Sequence, residues 1–316
     1  MSGKITVVGS YNVDITAFCK RFPQNGETVK GDSLRFGSGG KGFNQAVAAS
    51  KAGAEVLTVA AVGDDSLSQR LFDHLSREKM TSRGIITKQG LSTGSALIEV
   101  SSEGGENRII VIEGANSALG GEDVEGFEED IASSDIVLCQ LEVNINATVR
   151  ALELAKKHGV ITVLNPAPFC PLDEGVLELC DWFTPNETEA EFFSGVRING
   201  LDDAKKAAEA LYGKGIKNVL ITLGKNGALY YNGKELIHCS AVDAVPVDTT
   251  GAGDSFNGGL CVALSEGMDV RKALNFASCV SGIAITRPGA ADAMPERDEI
   301  EKLYADSFGG EYNESI

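Results

Sequence analysis

Histidine is scarce in this chain: 316 residues hold three, His74, His158 and His238. None has metal-ligand spacing to another, which argues against a His-built zinc site or a His-based triad. Positive charge is also short. The 28 Lys and Arg residues face 45 Asp and Glu, a net charge of −17. Nucleic acid selects a basic face, so no nucleic-acid partner is expected. An anionic substrate must be met by local amides, a few basic side chains and metal ions. No apolar run reaches membrane-span length, and the opening residues lack a long signal core, so no membrane association is expected. The seven cysteines contain no Cys-x-x-Cys pair. Several lie in apolar runs and read as buried reduced thiols, which implies a cytoplasmic location.

What is present is organised around Asp248-Thr-Thr-Gly-Ala-Gly-Asp254, followed by the apolar stretch Ser255 to Leu264. Gly251 and Gly253 punctuate the first half, and the second reads as a buried helix. The glycines therefore stand at a helix N-terminus, where free amides and the helix dipole favour an anion. Asp254 puts a carboxylate beside that anion site. The pairing makes chemical sense if Asp254 takes the proton from a hydroxyl that attacks phosphorus, while the amides hold the developing charge. A capping Asp after a Gly-rich turn is the plainer alternative.

Along the chain, Ile5–Val8 and Val56–Val62 read as buried strands, and Ser66–Lys79 as a helix. Asn12 and Asp14 follow the first strand, on the edge where open α/β sheets bind ligands. They either bond sugar hydroxyls or belong to a solvated loop. The Thr28–Phe36 segment is polar and half-exposed in character. Gly94–Val100 and Arg108–Ile112 flank the hairpin signature Ser101 to Asn107. These three segments can form a small sheet that must cover a ligand or a partner. From Asp135 on, strands and helices alternate: Ile136–Leu141, Thr148–His158, Val160–Leu164, Trp182–Thr184, Asp202–Leu211, Asn218–Thr222 and Ala273–Thr286. That is a mostly parallel sheet with covering helices, an α/β fold. Glu142, Asn165, Asn186 and Thr222 fall at strand C-termini, the ligand edge. With no internal repeat or linker, residues 1–316 read as one domain, and the polar tail from Asp306 is expected to fray.

Gly37-x-Gly39-x-x-Gly42 matches a dinucleotide-binding pattern, with Asp64 or Asp65 as its acid, and supports a competing reading as an NAD-dependent oxidoreductase. It follows a polar strand, however, and Gly-Asp-Asp-Ser reads better as a helix cap. The preferred reading is a sugar-side pocket using Lys41 and Asn44. A sugar-binding protein without catalysis is a third reading, opposed by the retained Asp254 and anion-hole sequence.

Three motifs, Gly39-Gly40-Lys41-Gly42-Phe43-Asn44-Gln45-Ala46, Asn186-Glu-Thr-Glu189 and Asp248 to Asp254, resemble the PfkB carbohydrate kinase family, and within it the ribokinase branch. The resemblance implies a Rossmann-like αβα sandwich with a mostly parallel central sheet. A small projecting β-sheet lid, about residues 28–38 and 93–113, would serve as a homodimer interface. It implies transfer of the ATP γ-phosphate to the 5-hydroxyl of D-ribose, with another pentose such as deoxyribose as alternative, and Mg²⁺ and K⁺ as metals. Sugar contacts carry over to Asn12, Asp14, Gly40, Lys41, Asn44, Glu142 and Asp254. Nucleotide contacts carry over to Asn186, Thr222, Gly224, Gly227, Gly253 and Ser278. Glu189 matches the magnesium and phosphate region. Gly251, Ala252 and Gly253 match the anion hole, and Asp254 the catalytic base. A potassium site maps onto Asp248, Thr250, Ala284, Arg287, Gly289 and position 293. Two residues depart from the pattern. Phe43 replaces a common Ala, and either reshapes the sugar pocket or packs under its helix. Ala293 replaces a Ser that commonly helps bind the cation, implying a raised potassium requirement. The alternative there is that Arg287 or another basic group neutralises Asp248.

Overall fold

A computed structural model describes residues 2–103 and 106–309. Its main sheet runs, edge to edge, through Leu236–Cys239, Ala228–Tyr231, Asn218–Thr222, Trp182–Phe183, Ile161–Leu164, Ile136–Cys139, Lys4–Val8, Glu55–Gly63 and Ile85–Lys88. From Asn218–Thr222 to Ile85–Lys88 the neighbours are parallel. The first two strands pair antiparallel.

Strand periodicity sorts this sheet into two cores. Successive side chains point to opposite faces, so one apolar run feeds both. Val8, Val137, Cys139, Val219 and Ile221 pack on one face with Ala151, Leu152 and Ala155 of the Ile145–His158 helix and Ala207 and Leu211 of the Leu201–Tyr212 helix. Their strand neighbours Ile5, Val7, Ile136, Leu138 and Leu220 turn the other way. They meet Ala46 and Ala49 of the Lys41–Lys51 helix, Leu260 and Val262 of the Ala252–Ser265 helix and Phe276 of the Val270–Ala284 helix. Burying a Leu, Ile, Val or Phe is worth about 1.5–3 kcal/mol, so a strand buried on both sides anchors the site at its C-terminal end.

A second sheet has the order Gly31–Gly39, Asn12–Cys19, Ser95–Ser101, Asn107–Ile112. Asn12 and Asp14 are therefore not loop residues but open an eight-residue strand. It pairs antiparallel with Gly31–Gly39 and parallel with Ser95–Ser101. The tip of the expected hairpin, Gly104 and Gly105, lies outside the described residues. Leu34, Leu97, Ile109, Ile110 and Val111 of this sheet are exposed, Ile110 to 64%.

Several further elements went unread in the sequence, among them the edge strand Ile85–Lys88 and the Glu187–Ser194 helix. Ala228–Tyr231 and Leu236–Cys239 form an antiparallel pair around Asn232-Gly233, Gly233 having φ 83. Near the C-terminus, Arg297–Phe308 is a helix opened by a Glu296–Glu299 capping box, and it runs through Asp306. Residues 310–316 of the expected fraying tail lie outside the described residues.

Candidate active site

The Ala252–Ser265 helix starts at Gly251, whose φ of 75 is left-handed and favours glycine. The Ala252 amide turns back to the Thr249 carbonyl at 3.2 Å, and the Ser255 amide reaches Gly251 O at 2.8 Å. By helix geometry the Gly253 and Asp254 amides between them have no carbonyl one turn back. A Cβ on Gly253 would meet nothing within 4 Å among the described residues, so the approach to these donors is open.

Asp254 is 5% exposed. Asn44 Nδ2 donates to its Oδ2 at 2.9 Å, and Gln45 Nε2 to its Oδ1 at 3.0 Å. Both donors come from the first two turns of the Lys41–Lys51 helix. The Oδ1 of Asn44 is buried without a hydrogen-bond partner among the described residues. A buried acceptor left unpaired costs about 1–3 kcal/mol, so this atom fits a ligand hydroxyl.

The chain enters that helix through Gly40, with φ 88. A Cβ there would come within 2.9 Å of the Asn12 amide and 3.0 Å of Ser10 O. The Lys41 amide and the Ser10 hydroxyl donate to Glu142 Oε2 at 2.8 and 2.6 Å. The Asp254 carboxylate outweighs burial and raises the Lys41 ammonium above its usual range, with Glu142 and Glu189 adding to the effect. Lys41 thus stays charged among three carboxylates. Burial pushes Asp14 up to about 6, helped by Glu142 and opposed by Arg35. Asn12 Oδ1 accepts from Asn116 Nδ2 at 2.9 Å, and Asn116 also grips both backbone groups of Tyr11. Asn12, Asp14, Gly40, Lys41, Asn44, Glu142 and Asp254 thus belong to linked elements around the two helix N-termini.

Asn186 and Thr222 bridge as adjacent parallel segments, and the Thr222 amide bonds Pro185 O at 2.9 Å. Asn186 caps the Glu187–Ser194 helix. Its Oδ1 accepts from the Glu189 amide, and its own amide and Nδ2 donate to the two Glu189 oxygens, all at 2.8–2.9 Å. Burial raises the Glu189 carboxyl above its usual range, against these bonds. Gly224 and Gly227 flank the turn after Asn218–Thr222 with φ 53 and 88, and a Cβ on Gly227 would lie 1.9 Å from Cys239 O. Ser278 Oγ accepts from the Val242 amide at 3.2 Å, tying the segment before Asp248 to its helix.

The residues expected around a monovalent cation converge. Asp248 Oδ1 accepts from the Thr250 amide and Oδ2 from the Gly289 amide, both at 3.0 Å. The Val247 and Asp248 amides bond Ile285 O, and the Arg287 amide bonds Ala284 O. Burial pushes the Asp248 carboxyl up, but the Gly289 and Thr250 amides prevail and hold it below its usual range. Arg287 pairs with Glu299 instead of neutralising Asp248, and Arg35 is the basic group whose charge reaches Asp248. Ala293 is buried nearby in a short helical turn at Ala291–Ala293.

The structure bears on two sequence alternatives. Of the two acids considered for a dinucleotide site, Asp65 accepts from the Leu67 and Ser68 amides and from Thr93, as a helix-capping residue does, and Asp64 is exposed. Phe43 packs under its helix. Wholly buried, its ring meets Tyr11 and His74 edge-on, with centroids 5.2 and 4.9 Å away.

Sequence reasoning missed Gln45 as a partner of Asp254, Asn116 as the holder of Asn12, and Gln140 as the donor to Gln45. Gln140 carries a legible signal, a polar side chain ending the apolar run Ile136–Cys139. Asn116 carries none.

The chain belongs to the pfkB family of carbohydrate kinases, whose profile matches residues 2–297. Within it, the chain is similar to the ribokinase of Haemophilus influenzae, 40% identical over 301 residues, covering 95% of this chain and 97% of that protein. It is also similar to the deoxyribokinase of Salmonella typhi, 34% identical over 299 residues, covering 94% and 97%. The structure of Arabidopsis thaliana ribokinase complexed with ribose and ATP superposes with a TM-score of 0.91 at 29% identity, covering 96% of this chain and 99% of that one.

Proposed function

We propose that this chain is an ATP-dependent ribokinase that transfers the γ-phosphoryl group of ATP to the 5-hydroxyl of D-ribose. The observation that carries the reading is the Asp254 carboxylate, clamped by two amide donors at 2.9 and 3.0 Å and standing at the helix N-terminus with the unpaired amides. Asn12, Asp14, Lys41, Asn44 and Glu142 hold the sugar, the unpartnered Asn44 Oδ1 taking one of its hydroxyls. Asp254 accepts the 5-hydroxyl proton as that oxygen attacks the γ-phosphorus. The Gly253 and Asp254 amides, with Gly251 and Ala252 shaping the turn, stabilise charge on the transferred group. Asn186, Thr222, Gly224, Gly227 and Ser278 form the nucleotide side.

Mg²⁺ suits a site rich in carboxylates only when phosphates supply its remaining ligands, because among the described residues no three acidic, His or Cys side chains group as metal ligands. Glu189 and Asp254 are the nearby carboxylates, and the metal would neutralise phosphate charge. Asp248 and the backbone turns at Thr250, Ala284, Arg287 and Gly289 fit K⁺, which would stiffen the turn that aims the amides. The small sheet acts as a lid over the sugar, and its exposed Leu34, Leu97 and Ile110, which share one face by register, face a second copy of the chain in a homodimer. No described helix is long and apolar enough to cross a membrane. Seven unpaired cysteines, six of them buried, support a reducing, cytoplasmic location.

A coupled ADP-release assay over a panel of sugars tests the reading. D-ribose should give the highest kcat/KM. A higher value for deoxyribose would reassign the substrate, a choice the Salmonella relative makes concrete. Absence of ATP-dependent turnover with any pentose would overturn the kinase reading.

A further inference from the structure

A relay of buried side-chain amides runs behind Asp254. Gln140, wholly buried just past the Ile136–Cys139 strand, donates its Nε2 to Gln45 Oε1 at 2.6 Å. With its oxygen occupied, Gln45 can only present its Nε2 hydrogens on the other side. Those go to Asn165 Oδ1 at 3.1 Å and to Asp254 Oδ1 at 3.0 Å. Asn165 cannot flip to compete, because its own Nδ2 donates to Thr184 O at 2.9 Å. Gln140 Oε1 has no hydrogen-bond partner among the described residues, and the Gln45 amide is held from both sides, by Gln140 Nε2 and by the acceptors Asn165 Oδ1 and Asp254 Oδ1. Gln45 has no exposed surface, so it cannot touch a substrate, whereas its neighbour Asn44 holds the other Asp254 oxygen and keeps a free acceptor.

We propose that Gln45 is a positioning residue for phosphoryl transfer, and that Gln140 and Asn165 together set which end of its amide faces Asp254. This rests on the reading of Asp254 as the base. The Gln45 donor pins Oδ1 and fixes the carboxylate plane, so that the Oδ2 side faces the sugar hydroxyl. If the Gln45 amide were reversed, its carbonyl oxygen would oppose the carboxylate and turn it away. Because the relay touches neither substrate, its effect belongs to the chemical step and not to binding.

The test uses Gln45→Met, which keeps length and removes the donor, compared with wild type in steady-state kinetics and thermal melting. A hydrogen bond to a charged group supports a fall in kcat of about 10- to 100-fold, with KM for sugar and ATP within about twofold. The same substitution in an Asp254→Asn background should leave the residual turnover unchanged, because the group that Gln45 acts through is gone. A kcat within twofold of wild type, a loss confined to KM, or an equal loss in both backgrounds would overturn the proposal. If Gln45→Met does not fold, Gln140→Met decides: loosening the Gln45 amide, whose oxygen loses its donor, should lower kcat about 3- to 10-fold at unchanged KM, and an unchanged kcat overturns the relay. Wild-type turnover is scored first and judges the kinase reading by itself. The relay is scored only on variant-to-wild-type ratios, with whichever sugar the wild type phosphorylates.

Discussion

Asp14 should make the free protein less stable and the sugar complex tighter, and Asp14→Asn separates the two. Burial and the nearby Glu142 push its carboxyl from 3.8 to about 6 in the fold. The folded state therefore holds the Asp14 proton more tightly than the unfolded chain does. Between those two values stability falls as pH rises, and above about 6 the whole penalty is present. At 1.36 kcal/mol per unit the shift corresponds to about 3 kcal/mol, and partial solvent screening lowers the working figure to about 1–3 kcal/mol. Asn keeps the shape and carries no charge. Asp14→Asn should thus raise the melting temperature by a few degrees at pH 7 and leave it nearly unchanged at pH 4. Calorimetric titration with ribose should show the opposite ranking, the variant binding more weakly at pH 7. In the wild type, ribose affinity should drop about tenfold between pH 7 and pH 5 as the carboxylate is protonated. A variant that is less stable at pH 7, or whose stability gain is the same at pH 4 and pH 7, would refute the account of Asp14 as a buried charge held for its ligand.

Other expectations concern the packing, the cation turn and the small sheet. Phe43→Leu should lower stability by about 1–3 kcal/mol, since it opens space under the Lys41–Lys51 helix, while KM for ribose stays within about threefold. A tenfold KM change at unchanged melting temperature would instead make Phe43 a pocket residue. Potassium titrated at constant ionic strength against a bulky organic cation should raise kcat more than it changes ribose KM, with a high half-saturation because Ala293 offers no hydroxyl. A flat titration would remove the cation from the site. Ribose should slow amide exchange in Gly31–Gly39 and Ser95–Ile112, and Ile110→Glu should convert a dimer to monomers in sedimentation. Unchanged exchange at saturating ribose counts against the lid, and an unchanged assembly state counts against the dimer face.

The α/β architecture was legible because fully buried strands such as Ile5–Val8 and Ile136–Cys139 are unbroken apolar runs, and because Gly159 and Gly53 mark helix ends. The strand Asn12–Cys19 was not. Its burial follows no strict alternation, because one end lines the site and the rest joins a sheet with an exposed face. The hairpin at Asn232-Gly233 carried a legible turn signal in the sequence, although its loop runs over the four residues 232–235 and only Gly233 takes a positive φ. The helix start at Gly251 was legible from the motif, since a glycine pair before an apolar run punctuates the chain there, and the structure buries Asp254 in its first turn. The clamp on that base was not, because Gln140 and Gln45 lie 95 residues apart and meet only when two strand ends and a helix start converge. Asn186 was legible as a residue at a strand end, but its capping box with Glu189 was not read from the sequence.

The central claim is that Asp254 takes a proton from the sugar 5-hydroxyl while the amides of its helix N-terminus hold the phosphoryl charge. It is tested most directly by incubating wild type and Asp254→Asn with ATP, Mg²⁺, K⁺ and D-ribose and assigning the product by phosphorus NMR. The wild type should yield ribose phosphorylated at the 5-position. The variant should lose about 10²–10⁴-fold in turnover, the usual weight of a general base, with nucleotide affinity largely retained. Phosphate found on another hydroxyl, or near-normal turnover by pure Asp254→Asn, would contradict the account.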